Sequence, residues 1–323
     1  MTCLLSCLTL MITMLPVALA SDTAPRLPAV RQLRSNTLVL EVMEPNAPER
    51  YNHGTRFTSI ANVLRVTREG REFLFAPLEH DPLLENGGLA GEFDPFGNPP
   101  GFAEAALGEG YVKIGVGILR KEKEEYGFWG VHPVIERAAT TVEWKEDKAF
   151  FRQECPGVNG YAYRLEAEVA VTGNEVAIRF HLMNRGAKAF TTQQYHHNYF
   201  IFGPEPVGPG YELELPFAPA PENVPPVIRL HGNRLRYSTP LAKAVNFPIP
   251  WPRGENGPNR VVLRHEGKGM ELIASTDRPG TRLFIHAGPQ YLCPEQFIEL
   301  HLAPGQSVRW TRRYEFNLLP DHS

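Results

Sequence analysis

Cysteine is scarce in this chain, long apolar runs are missing after its first twenty residues, and neither sign of charge predominates. Four cysteines stand among 323 residues, and two of them, Cys3 and Cys7, fall in the first seven positions. Cys155 and Cys293 remain for the folded part, too few for a cysteine-rich zinc module. They could pair in an oxidising compartment only if their Cα atoms approach closely, which the sequence does not reveal. Lys and Arg total 33 against 36 Asp and Glu, a net charge of −3, with no basic stripe or arginine cluster. Nucleic acid is therefore not an expected partner. Helical periodicity is also scarce.

The first 20 residues carry a processing signature. Leu4–Val17 is an apolar run shorter than the roughly 20 residues needed to span a bilayer. Ala18-Leu19-Ala20 before Ser21 has the small-x-small form of a signal-peptide cleavage site. Export to the periplasm or the extracellular space is the expectation, with no membrane span once the signal is removed. The expected organisation is a signal peptide over 1–20, an N-terminal extension over 21–36, one domain over 37–318 and a tail over 319–323. The sequence does not indicate an oligomeric state.

What the chain has in abundance is period-two alternation. Tyr161–Val171 alternates apolar and polar residues, Thr172-Gly173-Asn174 supplies a turn, and Glu175–Met183 resumes the alternation: a hairpin. Further short strands are readable at Thr37–Val42, Ala61–Arg68, Tyr111–Leu119, Thr141–Glu146, Phe150–Glu154, Val261–His265, Glu271–Thr276, Arg282–His286 and Ser307–Phe316. With 28 glycines and 30 prolines cutting the strands apart, this indicates an all-β sandwich or barrel. Two Pro- and Gly-rich stretches, Leu83–Gly110 and Gly203–Pro258, read as long irregular segments of the kind that often carry function.

The chemistry-bearing candidates start with Gln194-Tyr195-His196-His197-Asn198-Tyr199-Phe200, where two imidazoles sit in an apolar, β-prone segment. Partial shielding keeps an imidazole near the pH at which it can exchange a proton. In the loop Gly87–Asp94, Glu92 and Phe93 offer a carboxylate beside a ring, and Trp251, within Phe247-Pro-Ile-Pro-Trp-Pro252, is the best-placed aromatic platform. No close-spaced His-x-His or His-x₃-His pair supports a metal site, and neither a metal nor a cofactor is expected.

Several stretches together resemble the galactose mutarotase-like superfamily, the aldose 1-epimerases and their relatives. They are the hairpin followed by Met183-Asn184-Arg185-Gly186 and His197-Asn198-Tyr199-Phe200; Asn52-His53-Gly54-Thr55-Arg56-Phe57; and Tyr291-Leu292-Cys293-Pro294-Glu295 with the closing strand Val308–Phe316. The resemblance spans about residues 37–317 and implies a large antiparallel β-supersandwich, as a single domain, with an open sugar-binding groove. It implies interconversion of α- and β-anomers by general acid/base catalysis, with His197 as acid and Glu295 as base. It also implies Arg56 and His80 as sugar-binding residues and a sugar or oligosaccharide as partner. The histidine doublet leaves His196 open as a substrate-binding residue or as the acid itself, and Glu299 stands as an alternative to Glu295. The acid and the base are expected to face each other across a cavity about as wide as a pyranose. The His80-Asp81-Pro82 and Cys293-Pro294 contexts depart from the family pattern, which keeps a non-catalytic carbohydrate-binding protein of the same fold as the alternative. A glycan-cleaving enzyme stands third, because the extra helical domain usual for one is absent.

Overall fold

Alternation along the chain becomes alternation across two sheets. A computed structural model of the chain describes residues 27–252 and 257–320. The expected signal peptide and the last three residues of the expected tail lie outside the described residues. Among those residues, two antiparallel sheets of nine and ten strands are joined by a smaller three-stranded sheet. The hairpin read from the sequence forms as Tyr161–Thr172 against Glu175–Asn184, in register from Tyr163↔Asn184 to Thr172↔Glu175. Gly173 takes φ 55° at its turn, the left-handed conformation a tight hairpin requires. Leu165, Val169 and Val171 turn inward while Arg164, Glu166 and Glu168 turn out. The buried faces of the two large sheets merge into one apolar core that includes Leu40, Val66, Ile178, Leu272, Ile298 and Phe316. This is an all-β, antiparallel sandwich.

Some elements depart from the sequence expectation. Val30–Arg34, inside the segment expected as an extension, is a strand paired with Val39–Met43 at the rim of the nine-stranded sheet. Tyr111–Leu119 is not one strand but two, Gly110–Lys113 and Gly117–Arg120. The two stretches read as irregular are partly strand. The first holds Leu89–Phe93, and the second holds Tyr211–Glu214, Ile228–His231, Arg234–Tyr237 and Val245–Pro250. Val245–Pro250 escapes a strand reading because of Pro248 and Pro250. It closes the nine-stranded sheet as an edge strand, a place where a residue without an N–H is tolerated in a ladder.

Five neighbouring strands at that end of the nine-stranded sheet position the site. They run in the order Leu89–Phe93, Phe190–Asn198, Tyr291–Leu302, Arg282–Gly288 and Val245–Pro250. Arg312 of the ten-stranded sheet, only 1% exposed, reaches across the sandwich to hold two of them. It donates to Gln194 Oε1 at 2.7 Å and to the Gln296 carbonyl at 3.0 Å. Cys155 and Cys293 are both buried and free, so no disulfide joins them.

Candidate functional site

Strand parity sorts the histidine doublet. On Phe190–Asn198, His196 points into the sandwich and His197 points out of it. His196 is fully buried, its Nδ1 2.9 Å from the Tyr314 hydroxyl, its ring stacked on Tyr314 and edge-on to Phe180 of the opposite sheet. It therefore belongs to the interior and is not among the residues lining the cavity beside His197. Its neighbour His197 lines a cavity of about 270 Å³ together with Arg56, Trp129, Tyr195, His286 and Glu295. That volume lies just under the ~300–1,000 Å³ usual for small-molecule pockets, a space on the scale of one sugar ring.

The same parity rule places Cys293 and Glu295 on the outward face of Tyr291–Leu302, beside His197. Glu295 Oε1 lies 3.3 Å from His197 Nε2, and Cys293 Sγ lies 3.0 Å from His197 Nδ1. The expectation of an acid and a base facing each other across a ring-wide gap is thus corrected. His197 and Glu295 are in contact, side by side on one wall, because their strands are hydrogen-bonded neighbours. Both side chains are 5% exposed. Burial pushes Glu295 well above the usual carboxylate range, opposed by the Arg56 charge. Burial, and then the positive field of Arg56, hold His197 well below the usual imidazole value. The imidazole is clamped by stacking on Tyr199, with ring centroids 4.3 Å apart, and by edge contacts to Phe57 and His286.

Arg56 is brought to the site by a bend in the chain at Gly54–Arg56. Gly54 has no room for a side chain, since a Cβ there would sit 2.2 Å from the Leu83 carbonyl oxygen. The guanidinium of Arg56, a residue only 7% exposed, donates to Glu92 Oε2 at 2.8 Å and to the Tyr195 hydroxyl at 3.0 Å, and Tyr195 donates in turn to Glu92. Its charge lies 4.2 Å from the Trp129 ring and 4.9 Å from Phe128. Glu92 is therefore no exposed rim carboxylate but the fully buried counter-ion of Arg56, on the strand Leu89–Phe93, and Phe93 is a core ring against Trp310.

The remaining candidates fall elsewhere. His80 stacks on Tyr51 at 3.8 Å with Nε2 2.7 Å from the Tyr51 carbonyl oxygen, and it does not line the cavity. Glu299 is exposed and paired with His301. Trp251 packs against Gly280 and Phe217, while Trp129, 65% exposed, stands at the cavity. Sequence reasoning passed over Cys293, Tyr195 and Asn246 as parts of this site. His286, pushed down to about 4 by burial, bonds through Nε2 to the Tyr291 hydroxyl at 2.7 Å and through Nδ1 to Asn246. Two-residue parity from Glu295 was the signal that could have found Cys293. Nothing local to Asn246 reveals it. His197, Cys293 and Glu295 also present donor atoms within 4.8 Å of one another, the donor types a thiophilic divalent ion would use.

Comparison with known proteins agrees with the architecture. No protein-family profile matches the chain, and no curated protein does. Solved structures do match. A putative aldose 1-epimerase from Escherichia coli K12 superposes with a TM-score of 0.60 at 15% identity, covering 90% of this chain and 99% of that one. A galactose mutarotase-like protein from Clostridium acetobutylicum gives 0.56 at 10% identity, covering 89% and 95%. Galactose 1-epimerase from Lactobacillus acidophilus NCFM gives 0.55 at 12% identity, covering 90% and 94%. The chain has the galactose mutarotase-like fold. At these identities the likeness establishes the fold alone.

Proposed function

We propose that this chain is an exported sugar-active protein that interconverts the α- and β-anomers of a free aldose or of an oligosaccharide reducing end. The observation that carries this reading is the 3.3 Å contact between His197 Nε2 and Glu295 Oε1 on the wall of a cavity on the scale of one sugar ring. Mutarotation removes a proton from the C1 hydroxyl and delivers one to the ring oxygen; the ring opens, the C1–C2 bond rotates, and closure takes place on the other face. Both oxygens are bonded to the same carbon. An acid and a base side by side therefore suit the reaction better than a pair separated by the width of the ring. Glu295 takes the hydroxyl proton and His197 Nε2–H protonates the ring oxygen; closure reverses both transfers.

Burial raises the proton affinity of Glu295 and lowers that of His197. A reversible reaction asks each group to give and take a proton, and such transfers contribute about 10²–10⁴-fold each. Arg56, already held by Glu92 and Tyr195, offers its remaining N–H donors to sugar hydroxyls, and the Trp129 ring offers a face to the sugar's C–H surface.

The test is polarimetry of freshly dissolved α-D-glucose, α-D-galactose and reducing disaccharides with the secreted protein, whose N-terminus we place at Ser21. Acceleration over buffer is expected, with a fall of roughly 10²-fold or more in His197→Ala and in Glu295→Gln. A rate equal to buffer across the panel would sink the reading, and sugar binding that survives both substitutions would point to the non-catalytic binding protein instead.

A further inference from the structure

We infer that Cys293 is a positioning residue that fixes the tautomer of His197, holding the ring's single proton on Nε2, where it meets Glu295 and the cavity. The Asn198 backbone N–H donates to Cys293 Sγ at 2.9 Å, so the sulfur already accepts one hydrogen bond. Its own S–H has two acceptors within reach, His197 Nδ1 at 3.0 Å and Glu295 Oε1 at 3.7 Å. The nearer one is also an imidazole nitrogen, a strong acceptor, whereas a thiol is a weak acceptor for a second N–H. The S–H therefore points at Nδ1. A neutral imidazole carries one N–H, so with Nδ1 accepting, the hydrogen is on Nε2, 3.3 Å from Glu295 Oε1.

The burial of Cys293 is consistent with this role. The side chain is 0% exposed and does not line the cavity, so it touches no substrate. Burial and the neighbouring Glu295 hold its thiol well above the usual range, which keeps the proton on sulfur. The ring itself cannot readily turn over, because Tyr199 stacks on it and Phe57 and His286 close its edges. Packing thus sets where the two nitrogens point, and Cys293 sets which of them carries the hydrogen. The catalytic consequence rests on the function proposed above, since only a proton on Nε2 faces a sugar's ring oxygen.

Long-range proton–nitrogen correlation NMR of the neutral, full-length folded protein tests the tautomer without any assay. The Nε2–H form of His197 is expected in the wild type and in Cys293→Ser, which keeps a donor, and a mixture of the two tautomers is expected in Cys293→Ala. In polarimetry, Cys293→Ala is expected to lower kcat on the order of tenfold with KM held, as fits the loss of one buried hydrogen bond, and Cys293→Ser is expected to recover most of it. A wild-type His197 protonated on Nδ1 overturns the inference. So does a Cys293→Ala protein whose tautomer is unchanged, or equal losses of kcat in both variants. If the wild type shows no mutarotation at all, the proposed function falls, and the NMR comparison alone still decides what Cys293 does.

Discussion

Arg56 and Glu92 are the two residues whose exchange of charge governs the site. A buried guanidinium 2.8 Å from a fully buried carboxylate is tolerable only while both are present. Glu92→Gln keeps the shape and removes the countercharge, leaving Arg56 unbalanced among Phe57, Phe128 and Trp129. Breaking such a pair costs about 3–5 kcal/mol, so a lower urea midpoint is expected. A second effect follows at Glu295. Its proton affinity is lowered by Arg56 and raised by Glu92. Removing Glu92 therefore lowers the Glu295 pKa, and the acid limb of the mutarotation rate profile is expected to move to lower pH. An acid limb that stays in place or moves upward would show that Glu295 is not the titrating base. His197 and Glu295 were legible as candidates because motif and residue type point to them. Glu92 was legible only as a carboxylate in a glycine-rich segment, since its partner lies 36 residues earlier in the chain.

At the scale of the element, strands that keep one face wet could be read from the sequence, and strands without such a face could not. The hairpin of Tyr161–Thr172 and Glu175–Asn184 announces itself because its outward positions are charged. Leu89–Phe93 is buried at every position and contains a glycine, so it has no alternation to read. His196 and His197 show the same limit. Period two says that adjacent residues face opposite ways, but only the sheet order says which face is the groove. The element that fixes this face is the strand Phe190–Asn198, pinned from behind by Arg312. Arg312→Met replaces the pin with an apolar chain and leaves Gln194 Oε1 and the Gln296 carbonyl without that donor. Each orphaned acceptor costs on the order of 1–3 kcal/mol, so the urea midpoint is expected to fall with the slope of the transition unchanged. An unaltered midpoint would mean that packing alone holds the two sheets in register.

For the molecule as a whole, the buried titratable groups set opposing responses to pH, and their signs can be worked out. His286 is held down to about 4 in the fold, below the reference value of about 6.5. A depressed folded pKa means that the unfolded chain binds the proton more readily. The contribution of His286 is therefore present above pH ~6.5 and is lost as the pH falls toward 4. Burial raises Asp94 from 3.8 to about 6, against the opposing pull of the Lys113 charge and of the hydrogen bonds it accepts from the Gln193 N–H and the Thr192 hydroxyl. Its sign is the reverse: its contribution is present below pH ~3.8 and is lost as the pH rises through 6. Between pH 4 and 6 the two residues oppose each other, each with a slope of up to about 1.4 kcal/mol per pH unit. Urea titrations at several pH values through this window separate them. His286→Asn is expected to lose less stability on acidification than the wild type, and Asp94→Asn is expected to lose more. Parallel curves for all three proteins would show that neither group changes its protonation on unfolding in this range. The depressed His286 lies against His197 at 5.1 Å. The same measurement therefore reports whether the dry surroundings that keep imidazoles neutral at the cavity wall persist in solution.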